Sequence, residues 1–167
     1  TRPGNRPITA ETELDRLLPA LKALVGKVDI PISVDTYKSQ VAQAALAAGA
    51  TLVNDVWGLK KDPRLAKVAA KAGAPLVLTH NQKGTLYGDL LADILTSLGS
   101  SARAALEAGV AQENIILDPG IGFGKTPDHN LEILGRLKEF DALGYPLLVG
   151  TSRKSTIGLV LNQPPDQ

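Results

Sequence analysis

Five short apolar runs in this 167-residue chain end in residues that can do chemistry: PISVD (31–35), TLVNDV (51–56), PLVLTH (75–80), NIILD (114–118) and PLLVG (146–150). Asp35, Asn54 with Asp55, His80 with Asn81, Asp118, and Thr151-Ser152-Arg153-Lys154 sit at those ends. Asp35, Asn54 and Asp118 suit a neutral ring with several N–H donors and carbonyl acceptors. Carboxylates accept paired hydrogen bonds from an amidine-like edge, and an Asn both donates and accepts. Arg153 and Lys154, at the start of an expected helix, form an anion-attracting pole with its free N–H groups. The plainer alternative is that each Asp, Asn or Ser caps the next helix. That all five runs end this way favours a shared site.

Other chemistries fit less well. The stretch ILDPGIGFGKTPDHN (116–130) has the look of a phosphate loop. A Walker A loop, however, needs a glycine where Pro119 stands, and Gly120, Gly122 and Gly124 are spaced G-x-G-x-G, not G-x-G-x-x-G. These glycines read better as a tight turn from strand to helix that lets Asp118 and Phe123 face a pocket. Lys125 then need not touch a phosphate, and Phe123 has core packing as its plain alternative. Zinc is disfavoured because Cys is absent and only His80 and His129 exist. A serine triad is not signalled, since Ser152 lies in GTSRKS and not in a G-x-S-x-G elbow.

The elements that must position these residues follow from periodicity. Each apolar run reads as a buried strand. Ala- and Leu-rich helical segments lie between the runs, roughly at 38–48, 62–72, 88–108 and 127–143, and end near Gly49, Gly73, Gly109 and Gly144. Ahead of them, Thr9 is a suitable N-cap for a helix with Leu14, Leu17, Leu18, Leu21, Leu24 and Val25 on one face, which Pro19 is expected to kink. Thr126 followed by Pro127 suits the start of the last segment. Alternating strands and helices with two-sided apolar strands indicate a parallel α/β sheet, whose carboxyl ends all lie on one side.

Composition narrows the function classes. With 44% hydrophobic residues, one domain can bury a substantial core. A net charge of +1, no long basic block and six aromatic residues (two Phe, one Trp, three Tyr) argue against a nucleic-acid partner. No apolar run reaches membrane-spanning length, so no membrane partner is expected. The lack of Cys makes a reducing cytoplasm the default. Met is absent even at position 1, as expected of a fragment.

TRPG, SVDT, the ND of VNDV, DPGIGFGKTPDHN and LVGTSRKSTIG resemble, in that order, the motifs of the dihydropteroate synthases, over nearly the whole chain. The resemblance implies a (β/α)8 TIM barrel, of which residues 1–167 cover about strands 3 to 7 as one pterin-binding domain, incomplete at both termini. It implies a transferase of folate synthesis that joins p-aminobenzoate to 6-hydroxymethyl-7,8-dihydropterin diphosphate and releases diphosphate. It also implies a cytoplasmic homodimer, in a family that is the target of sulfonamides. By position, Asp35, Asn54, Asp118 and Lys154 correspond to the pterin-binding set, with Gly150 beside them. Phe123 and Arg153 correspond to residues enclosing p-aminobenzoate, Ser155 to the one meeting its carboxylate, and Thr1 and Arg2 to residues near the diphosphate. Catalytic roles fall to Asp35, Arg153 and Lys154. Mg²⁺ is the implied cofactor, with no ligand in this chain because the family's metal-associated Asn would precede Thr1. The family's Arg-x-His pair would follow Gln167, and Thr79 stands where the family commonly has Met. Two rivals are a methyltetrahydrofolate–corrinoid methyltransferase domain, against which GTSRKS argues, and a non-catalytic pterin-binding paralogue.

Overall fold

The computed structural model describes residues 6–163. Thr1 and Arg2 lie outside that range. Four strands, β1 (Ser33–Asp35), β2 (Leu52–Asp55), β3 (Leu76–Thr79) and β4 (Ile115–Asp118), form one parallel sheet in the order β1-β2-β3-β4. A helix joins each neighbouring pair: α2 (Ser39–Ala47), α3 (Arg64–Ala72) and α4 (Leu90–Glu107). With α1 (Ala10–Leu24) these helices pack side by side as one layer, α1 on α2, α2 on α3 and α3 on α4. Parallel strands in sequential order with one helical layer form an arc of a (β/α) barrel, not a doubly wound sheet with helices on both faces.

The strands and helices meet over apolar side chains of unequal size. Val53, Leu76, Leu78, Ile115 and Leu117 are buried against Ala42, Ala45, Ala66, Ala69, Ile94, Leu98, Ala102 and Ala105. Alanines on the sheet-facing side of α2, α3 and α4 let the helices approach the branched strand residues closely. The other strand face is less covered. Burial alternates along β1 and β2, with Val34, Val53 and Asp55 buried while Asp35 is exposed and Asn54 half-buried.

Two expectations change. The run 146–150 makes no ladder; one bridge pairs Leu147 with Leu117. Leu117 N donates to Pro146 O and Leu148 N to Leu117 O, and Pro146 has no N–H of its own to offer. The expected helix 127–143 is two pieces, α5 (Pro127–Gly135) and a 3₁₀ segment at Leu137–Leu143. They part at Arg136, whose φ of −120° leaves the helical region. α1 carries Pro19 within its span. It lies on the surface with only Leu21 buried, so water can take up the carbonyl that proline leaves unpaired. Among the described residues no helix is long and apolar enough to cross a membrane.

Candidate functional site

The register of the sheet decides which strand-end residues share a face. Asp35 is the Cα partner of Asn54, Asn54 of Val77, and Thr79 of Asp118. Since side chains alternate along a strand, Asp35, Asn54, Thr79 and Asp118 all stand on the sheet face opposite the helices, at the carboxyl ends. Asp55 pairs with Leu78 and stands on the helix side. There its carboxylate accepts from Trp57 N at 2.9 Å and Leu59 N at 2.6 Å, holding the turn after β2, where Leu59 has φ +68°. The ND pair therefore divides into a site residue and a turn residue.

Hydrogen-bonding capacity is open on this face. Among the described residues, three buried side-chain oxygens lack a well-formed hydrogen bond: Asn54 Oδ1, Thr79 Oγ1 and Ser97 Oγ. Two of the three lie on the face that carries Asp35 and Asp118. An unmet buried polar atom costs roughly 1–3 kcal/mol, so Asn54 Oδ1 is better explained by a ligand than by packing, whereas the Thr79 hydroxyl has the Asp118 carboxylate beside it. Asp118 is buried, and one carboxylate oxygen, Oδ1, accepts from Gly120 N at 2.7 Å. Burial pushes its pKa up, while the Gly120 N–H, Lys154, Lys125 and the Thr79 hydroxyl pull it back.

The glycine turn builds the adjoining wall. Gly120, Gly122 and Gly124 all have positive φ, and Phe123 N bonds Gly120 O at 3.0 Å. A Cβ at Gly120 would stand 1.9 Å from His80 O, so the turn touches the end of β3 backbone to backbone. Asn130 on α5 accepts from Gly122 N at 2.9 Å and donates to Thr156 Oγ1 at 2.8 Å. This docks α6 (Ser155–Leu161) beside the turn. Lys154, the N-cap of α6, places Nζ 4.2 Å from the Phe123 ring centroid, a cation–π distance.

Thus Asp35 and Asn54 meet on one side, and Asp118, Phe123 and Lys154 on the other. Arg153 is exposed in the left-handed region at φ +53°, and Ser155 is exposed as the first residue of α6. Gly150 has open space where a Cβ would stand. A cavity of about 1130 Å³ lies at this end of the sheet. Asp35, Phe123 and Lys125 line it, whereas Asn54, Asp118 and Lys154 do not. Its other walls bring Arg6, Arg16, Lys38, Lys61 and Lys83 against Glu13, a balance that suits an anion. Lys38 pairs with Glu13, which also accepts from the Thr36 hydroxyl at 2.6 Å. Among the described residues no three His, Cys, Asp or Glu side chains converge to hold a metal ion.

Sequence reasoning underrated two residues. Lys125 is buried, with Nζ 2.9 Å from His80 Nδ1 and 3.0 Å from Phe123 O. Its pKa is lowered to about 7 by burial, against the pull of Asp118 and helped by Lys60 and Lys154. His80 is buried beside it and lowered to about 3 by burial first, then by Lys125 and Lys60. In the sequence, His80 follows the third apolar run, and Lys125 closes the glycine turn just before Thr126. A pH effect follows. The folded state resists a proton that an unfolded His binds at about 6.5, so stability falls as pH drops from there toward 3. In denaturant titrations of the full-length protein across that range, His80→Gln, which keeps an acceptor but cannot ionise, should show a flatter acid limb. Identical acid limbs would exclude His80 as the cause.

A sequence profile described as pterin binding enzyme matches residues 1–167. The chain is 53% identical over its whole length to a dihydropteroate synthase of Clostridium beijerinckii, covering 62% of that relative. It is 48% identical over its whole length to that of Bacillus subtilis, covering 59% of it. The structure of a dihydropteroate synthase from Clostridium difficile in the presence of pteroic acid superposes with a TM-score of 0.96 at 49% identity. That match covers 99% of this chain and 64% of the other. The chain thus spans about three fifths of the length of the curated relatives it matches.

Proposed function

The chain belongs to the pterin binding enzyme family, and on that premise we propose that the protein carrying it is a dihydropteroate synthase. The observation that carries this reading is the shared strand face of Asp35, Asn54 and Asp118, with Asn54 Oδ1 unpartnered. Such a face meets a ring that is all donors and acceptors along one edge. Support also comes from the pteroic acid present with the Clostridium difficile relative, since pteroate joins a pterin to p-aminobenzoate.

In this reading the ring's N–H edge rests on Asp118, with Asn54 and Asp35 beside it. Diphosphate leaves the pterin methylene, electron donation from the ring supports the carbon, and the arylamine attacks there. The chain contributes position and charge. Asp118 and Asn54 fix the ring, Lys154 sits between ring and anion, and the cationic cavity wall favours the leaving group. Phe123 and Arg153 enclose p-aminobenzoate, Ser155 meets its carboxylate, and Gly150 leaves room beside the ring. Thr1 and Arg2 are assigned to the diphosphate. Mg²⁺ remains part of the proposal because diphosphate oxygens suit a hard cation. The diphosphate oxygens themselves would supply part of its coordination. A homodimer is proposed on the resemblance alone, and a cytoplasmic location on the lack of Cys.

The test is turnover by the full-length protein. Release of diphosphate from the pterin diphosphate should depend on p-aminobenzoate and yield dihydropteroate. Tight pterin binding without such turnover would favour the non-catalytic reading instead.

A further inference from the structure

Lys125 takes no part in holding the ring, although it is buried at the wall of the cavity that Asp35 and Phe123 also line. Its ammonium reaches two elements at once: His80 Nδ1 at the end of β3 (2.9 Å) and Phe123 O in the glycine turn (3.0 Å). His80 O lies at 3.5 Å. A buried amine is costly without acceptors, and here the acceptors belong to the two segments that must stay in register. Tyr87 supplies a second tie, donating from its hydroxyl to Gly124 O at 2.8 Å. Its ring lies 6.0 Å from that of His80 and edge-on to that of His129 at 5.2 Å. Between the ties the backbones nearly touch, since a Cβ at Gly124 would stand 2.5 Å from Gln82 O. Phe123 is therefore the aromatic side chain of a turn whose backbone is tied at Phe123 O and Gly124 O.

We infer that Lys125 and Tyr87 are positioning residues that fix Phe123 and so set recognition of the arylamine. The inference rests on the proposed function and deepens it. Asp118 does not depend on these ties in the same way. It is held by His80 N on its carbonyl at 2.8 Å and by Gly120 N on its carboxylate at 2.7 Å, and Lys154 supplies a second cation near it. Loosening the turn beyond Gly120 therefore moves Phe123 more than it moves Asp118. Small displacements of a group that orients a reactant are costly in rate and affinity.

The experiment uses the full-length protein. Lys125→Met keeps the aliphatic stem and removes the donors, while Tyr87→Phe removes one hydroxyl. Steady-state kinetics give the KM for p-aminobenzoate, and calorimetry gives the Kd for the pterin diphosphate. Lys125→Met should raise that KM about tenfold and leave the pterin Kd within roughly threefold, and Tyr87→Phe should raise KM about threefold, as expected for one neutral hydrogen bond. Should Lys125→Met fail to fold, Tyr87→Phe decides alone. Equal losses in KM and Kd, or an unchanged KM with wild-type turnover intact, would overturn the inference by itself. Absence of p-aminobenzoate-dependent turnover in the unmodified protein would remove the parent reading, and the inference with it.

Discussion

Asp118→Asn should weaken pterin binding by roughly ten- to a hundredfold while leaving the fold intact. The variant keeps the shape of the side chain. Its remaining oxygen can still accept from Gly120 N, the bond now made by Oδ1 at 2.7 Å. The new NH2 then faces the ring's donor edge, donor against donor. A mispaired buried hydrogen bond of the charged type costs about 1.5–3 kcal/mol, which gives the stated range at 1.4 kcal/mol per tenfold. Lys154 and Lys125 would also lose the carboxylate that they help keep ionised. Calorimetric titration of the full-length variant with a pterin, beside a thermal melt, checks both halves. A wild-type Kd would remove Asp118 from the ring's donor edge. A large drop in melting temperature would mean that the residue is chiefly structural.

Gly120→Ala should destabilise the protein severely, whatever it does to binding. The residue has φ +74°, and a Cβ there would stand 1.9 Å from His80 O and 3.0 Å from His80 C. Those are backbone atoms at the end of β3, pinned by the bond from His80 N to Asp118 O at 2.8 Å. Relief would require breaking the β3–β4 pairing where the site sits. The left-handed φ alone costs about 1 kcal/mol for a residue with a Cβ, and overpacking adds roughly 1–3 kcal/mol. That sum is a large share of a typical domain stability of about 5–15 kcal/mol. Gly73→Ala is the internal control. Gly73 also has positive φ, +62°, but nothing lies within 4 Å of its Cβ position, so only the conformational cost remains. Denaturant unfolding of the two variants should separate them clearly. Equal losses would show that the turn has slack against β3.

Much of this arrangement can be read in the sequence, and the remainder has physical reasons for staying hidden. Strands β1 to β4 stand within the apolar runs, and α2, α3 and α4 end within two residues of their expected bounds, because both signals are local. The split between Asn54 and Asp55 is also local, since period-two alternation alone puts neighbours on opposite faces. Pro146 weakened its run by removing a donor, and the break at Arg136 had no Gly or Pro to announce it. The tie between His80 and Lys125 spans 45 residues. No spacing rule reaches that far, and Lys125 looked like a bystander of the turn. Thr79 carries no signal of its own within the apolar run 75–80. Its place on the site face beside Asp118 emerges from the register of β3 with β4.

The central claim is that the strand face of Asp35, Asn54 and Asp118 receives a pterin ring. It is tested most directly by a crystal structure of the full-length protein with 6-hydroxymethyl-7,8-dihydropterin diphosphate. The account predicts the ring's N–H edge on the Asp118 carboxylate, Asn54 Oδ1 with a donor of the ring as its partner, and the diphosphate toward the cationic cavity wall. A ring bound elsewhere, with Asn54 and Asp118 making no contact to it, would contradict the account.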